Sequence, residues 1–88
     1  MRIRYSPCKS NTETSVRASA GDCLEIDGTR YDFAAEGVRW PKVAEETQGA
    51  ILEAFRDAQS ELWITVRRFY STSGRPVWDT GNYEEIKI

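Results

Sequence analysis

The chain contains no histidine, so the commonest general base and the commonest metal ligand are both missing. Its two cysteines, Cys8 and Cys23, do not form a C-x-x-C pair. They offer neither a zinc signature nor a nucleophile with a base beside it. Both are expected to stay reduced in a cytoplasmic setting. Asp22, Glu25, Asp27 and Asp32 crowd one short stretch, and close carboxylates can hold Mg²⁺ or share acid/base work. Turn formation explains Asp27, however, and Arg30 opposite explains Glu25. Glu53 and Asp57 have the spacing of a solvated helix face. No catalytic, cofactor-binding or metal-ligating residue is assigned, and an enzyme is not expected.

One stretch remains: Trp63-Ile64-Thr65-Val66-Arg67-Arg68-Phe69-Tyr70, followed by Arg75. Aromatic rings that stack on bases, beside arginines that hold phosphates, are the means by which a sheet binds single-stranded nucleic acid. The same residue types dominate protein interfaces. A face that shows Trp and Phe around an Arg is seldom left bare on a small domain. Trp63, Arg67, Arg68 and Phe69 are therefore the candidate partner-binding residues. A small nucleic-acid-binding module using strand 63–70 is the alternative.

These residues need elements to position them. Ile3 and Tyr5 alternate with Arg2 and Arg4 as a short strand, which Ser6-Pro7 is expected to end. A weak strand is expected around Val16. Asp27-Gly28 is a type I′ turn dipeptide and pairs Leu24 with Tyr31 and Glu25 with Arg30 in a hairpin over 22–33. After the loop 34–40, Pro41 suits a first helical position. Val43, Thr47, Ala50, Ile51, Ala54 and Ala58 recur at helical spacing, which predicts one helix over about 42–58. Leu62 to Tyr70 reads as a strand, Val77-Trp78 begins another, and Tyr83 to Ile88 closes the sheet with Ile86 and Ile88 inward. The expected fold class is α+β: a single small domain over 1–88 with a mainly antiparallel sheet.

Length and composition agree with one domain. The 88 residues are 40% hydrophobic and include three Trp, four Tyr and three Phe, enough apolar area for a folded core. No apolar run approaches the length of a membrane span, and no signal peptide is expected at the N-terminus. The net charge of −2 argues against binding nucleic acid through overall charge. Residues 1–20 carry four basic and one acidic side chain, residues 21–61 four and ten, and residues 62–88 four and three. The acidic middle outweighs the few arginines of the candidate strand.

Met1-x-Ile3-x-Tyr5-Ser6-Pro7, followed by Asp22-x-Leu24-x-Ile26-x-Gly28-x-x-Tyr31-Asp32-Phe33, resembles small proteins encoded by tailed bacteriophages and prophages near tail-fibre genes. Glu36-Gly37-x-x-x-Pro41 and Glu61-Leu62-x-Ile64-Thr65-Val66 fit the same pattern. The resemblance implies a non-enzymatic accessory protein of the host cytoplasm or the virion. It would act by protein–protein interaction in tail or tail-fibre assembly, on another phage protein or on a second copy of itself. Members of that family tend to carry a Gly where this chain has Gln59-Ser60-Glu61. That Gly would favour a hairpin, with residues 51–57 as a strand, so a mostly β fold is the alternative to the helix.

Overall fold

The computed structural model describes residues 1–33 and 47–86. Seven strands lie among them: β1 Arg2–Lys9, β2 Val16–Ser19, β3 Cys23–Ile26, β4 Thr29–Asp32, β5 Ile51–Arg56, β6 Leu62–Tyr70 and β7 Glu84–Glu85. They form a four-stranded sheet of order β5-β6-β1-β7 and a three-stranded sheet of order β2-β3-β4. No helix occurs among the described residues, so the mostly β alternative fits and α+β does not.

The expected helix over 42–58 is corrected where it can be seen; its positions 42–46, like the loop 34–40 and Pro41, lie outside the described residues. Gln48 and Gly49 take φ of +56° and +81°, which no right-handed helix accommodates. Thr47 then closes the turn, its hydroxyl accepting from the Ile51 N–H at 3.0 Å. From there β5 pairs antiparallel with β6, with Ile51 opposite Val66 and Glu53 opposite Thr65. Leu52 is thus the extra residue of a β-bulge. The bulge shifts the alternation by one position, so Ile51 and Ala54, three apart, both enter the core. Three-residue spacing is also a helical signature, which is why the pattern reads as a helix.

The hairpin forms as expected. Leu24 pairs with Tyr31 and Glu25 with Arg30, and Asp27 and Gly28 have φ of +49° and +83°, as a type I′ turn requires. A Cβ on Gly28 would meet nothing within 4 Å, so Gly28→Ala isolates the backbone effect. Urea denaturation of this variant is expected to show about 1–2 kcal/mol of lost stability. A midpoint equal to the parent's would contradict the turn.

Pro7 does not end β1, which runs on to Lys9. The Ser10 N–H donates to the Tyr70 carbonyl, and the Ile86 N–H donates to the Met1 carbonyl on the other side of β1. By alternation, even-numbered residues of β1 bond toward β6 and odd-numbered ones point away. Among the described residues β7 pairs only with Arg2 and Ile3 of β1, so Pro7 meets no strand among them on that side and its missing N–H costs no ladder bond there. The pairing of β1 with β6 is parallel over eight residues, from Arg2–Trp63 to Lys9–Tyr70. The larger sheet is therefore mixed, while the other four strand pairings among the described residues are antiparallel as expected. Val77 and Trp78 form a turn rather than a strand. Ile86 packs against the core, and Ile88 lies outside the described residues.

Both sheets feed one core. Leu24, Ile26 and Phe33 of the smaller sheet and its border pack with Ile3, Ile51, Ala54, Leu62, Ile64 and Val66 of the larger. Arg56, at the edge of the larger sheet, ties the two together. It pairs with the Asp22 carboxylate at 3.1 Å and donates to the Phe33 and Ser60 carbonyls.

Candidate functional site

Because the smaller sheet covers one face of the larger, the alternation of β1 and β6 sends the remaining side chains to the opposite, outer face. The parallel register sets Arg2 beside Trp63, Arg4 beside Thr65, Ser6 beside Arg67 and Cys8 beside Phe69. Phe55 reaches the same face opposite Trp63. Trp63, Arg67 and Phe69 are thus brought together. Arg68 is not: one residue out of phase, it points to the other face, between Tyr5 and Trp78.

Trp63 is held from four sides. Its indole N–H donates to Asp57 Oδ2 at 2.8 Å. Phe55 lies parallel to it at 6.1 Å, Tyr83 meets it edge-on at 4.9 Å, and the Arg2 guanidinium sits 5.0 Å from its ring centre. Arg4 lies over Tyr83 at 4.9 Å and donates to the Thr65 hydroxyl, which also bonds the Tyr83 hydroxyl. Arg67 lies over Phe69 at 4.8 Å and donates to the Gln48 carbonyl. A Cβ at Gly49 would come within 2.9 Å of that guanidinium, so a glycine there gives Arg67 room. The open edge of β6 beside Phe69 is closed by Thr14, whose backbone N–H donates to the Phe69 carbonyl and whose hydroxyl accepts from the Phe69 N–H at 2.8 Å.

The turn from β5 to β6 aims Trp63. Asp57 Oδ1 accepts from the Gln59 and Glu61 N–H groups while Oδ2 takes the indole, and Ser60 adopts φ of +63° in that turn. The indole bond, with help from those two amides, holds the Asp57 carboxyl below its ordinary 3.8. A carboxyl whose pKa is lower folded than unfolded stabilises the fold above the unfolded value and loses that contribution as pH falls through the folded one. Melting temperature is therefore expected to be flat in this term above about pH 5 and to decline below it. Asp57→Asn should flatten the decline. An unchanged acid limb would show that Asp57 contributes nothing to it.

The outer face is a charge mosaic. Arg2, Arg4 and Arg67 are set among Glu53, Asp57, Glu61 and Glu85, with Arg2 3.8 Å from Glu61 and directly across from Glu85. Rings and guanidinium groups are interleaved with carboxylates in near balance. Among the described residues no group of three or more His, Cys, Asp or Glu could hold a metal, and Cys8 and Cys23 are free thiols. Sequence reasoning missed Arg2, Arg4, Phe55 and Tyr83 as members of this face. The Arg2-x-Arg4 alternation was visible, but only the parallel pairing places it beside Trp63. No helix long and apolar enough to cross a membrane occurs among the described residues. No protein-family model, curated protein or solved structure matches the chain.

Proposed function

We propose that this chain is a non-enzymatic protein-binding domain that receives its partner on the outer face of the larger sheet. Its setting is that of a phage or prophage accessory protein, working in tail or tail-fibre assembly on another phage protein. The observation that carries this reading is the mosaic itself. Trp63, Phe69 and Tyr83 supply area that gains from desolvation, Arg67 supplies a planar donor, and Glu53, Asp57, Glu61 and Glu85 offset the arginines. Such residues dominate protein interfaces, and matched charge of both signs favours a complementary protein surface over a polyanion.

One observation favours the second reading, a nucleic-acid platform: each of Arg2, Arg4 and Arg67 lies against a ring, as arginines and aromatics do along single strands. The two readings differ in their salt dependence. The test is co-expression of the chain with tail-fibre and assembly proteins, followed by size-exclusion chromatography, and in parallel a titration with mixed-sequence single-stranded DNA at low and moderate salt. A complex that survives moderate salt, with no DNA binding there, is the expected result. DNA affinity falling with a log–log salt slope near −0.7 per phosphate contact would replace the first reading with the second.

A further inference from the structure

Where β6 ends, the segment 72–78 folds back beside Glu13 and Thr14 and leaves a cleft of about 400 Å³. Its wall includes Arg68, Arg75, Tyr70, Val77 and Trp78. We propose that this cleft binds the carboxylate of an acidic peptide segment, with Arg68 as the recognising group. The proposal rests on the protein-binding reading and names the chemistry of one partner contact.

Arg68 is built for that contact. Its guanidinium lies 4.6 Å from the Tyr5 ring and 4.7 Å from the Trp78 ring. Tyr5 and Trp78 meet edge-on at 5.5 Å, and Tyr70 meets Trp78 at 6.1 Å. Flexible arginines lose rotamer freedom on binding, whereas this one is already flanked by two rings on the wall of the cleft. No carboxylate among the described residues forms an ion pair with it. Arg75, by contrast, is engaged by Asp79, through its carbonyl at 2.7 Å and its carboxylate at 3.4 Å.

Charge and polarity then choose the ligand. With Arg75 engaged by Asp79, Arg68 is the guanidinium on the wall that no carboxylate among the described residues pairs. One guanidinium balances a singly charged carboxylate and leaves one charge of a phosphate dianion uncompensated. Val77, on the same wall, is 97% exposed, an apolar contact for the residue beside that carboxylate. A free dicarboxylate would leave Val77 unused; a peptide would cover it.

The probe is the pentapeptide Gly-Val-Glu-Val-Gly, acetylated and amidated so that its only charge is the side chain. It is titrated into the ¹⁵N-labelled chain and followed at the Trp78 indole and the Arg68 side chain. The expected result is saturating shifts at both groups at millimolar peptide, none with the Gln counterpart, and weaker shifts with free glutarate. Arg68→Lys keeps the charge but loses the fork, and should weaken binding about tenfold. Equal shifts from the Gln peptide, equal or tighter binding of glutarate or of a counterpart peptide with phosphoserine in place of the Glu, or no saturating shift would each overturn the proposal. The comparison of peptides on the unaltered chain decides even where Arg68→Lys fails to fold. Failure here leaves the partner complex of the outer face intact, whereas failure of the protein-binding reading appears as absence of that complex.

Discussion

Phe33→Ala is expected to lower the unfolding free energy by about 3–5 kcal/mol and to bring both sheets down in one transition. Phe33 closes the hairpin, its N–H donating to the Asp22 carbonyl at 2.9 Å. Its ring is among the largest fully buried side chains, in a core drawn from both sheets. Its own carbonyl receives Arg56 of the larger sheet. Removing the ring therefore opens a cavity at the junction rather than at the periphery. A domain of this size has about 4–13 kcal/mol to lose, so the variant gives up a large fraction of its total stability. The measurement is urea denaturation followed both by far-ultraviolet circular dichroism and by tryptophan fluorescence, which reports Trp40, Trp63 and Trp78 together. Coincident, shifted transitions are expected. A hairpin that loosens while the tryptophan signal keeps its parental midpoint would mean that the sheets are independent.

Trp63→Ala and Phe69→Ala, neighbours on one face, should separate into different phenotypes. Trp63 is gripped by Asp57, Phe55, Tyr83 and Arg2. Its truncation removes the bond to Asp57 and leaves a gap under Tyr83, at a cost of about 3 kcal/mol in stability, most of it from lost packing. Phe69 touches Arg67 through its ring while its backbone does the structural work with Thr14. An alanine keeps those backbone bonds, so Phe69→Ala should melt within a few degrees of the parent. It should instead lose about 2 kcal/mol of partner affinity, close to thirtyfold. Thermal melting and a binding isotherm on both variants make the comparison. A Phe69→Ala chain that binds its partner undiminished would remove this face from the interface.

The legible parts of the fold were those governed by near neighbours. The Asp27-Gly28 turn set the hairpin register pair by pair, and the bounds of β6 followed from plain alternation. The bulge at Leu52 defeated the same reasoning at β5, because it turned a strand's spacing of two into the helix-like interval from Ile51 to Ala54. The β5–β6 turn was hidden too, since Ser60 occupies a left-handed conformation that a glycine would have announced. At the candidate site, Trp63, Arg67 and Phe69 could be grouped from one strand, and Arg68 was grouped with them against its parity. Arg2, Arg4 and Tyr83 were out of reach, because they join the face only through pairings made far along the chain.

The parallel seam between β1 and β6 also sets an order of events. Arg4 meets Thr65 across 61 positions of chain, and closing so long a loop is entropically costly before any contact rewards it. During synthesis the β2-β3-β4 meander leaves the ribosome and can form from local pairs while β1 has nothing to join. Until β6 emerges, β1 trails as a lone strand with both edges open. Pro7 then has a second use: on an unpartnered strand it withholds one donor from any stray chain that tries to pair there. The outer face straddles this seam, and the Arg68 cleft is built from β6 and the segment after it, so neither exists until β6 has emerged. Binding competence arrives late, after the last long strand.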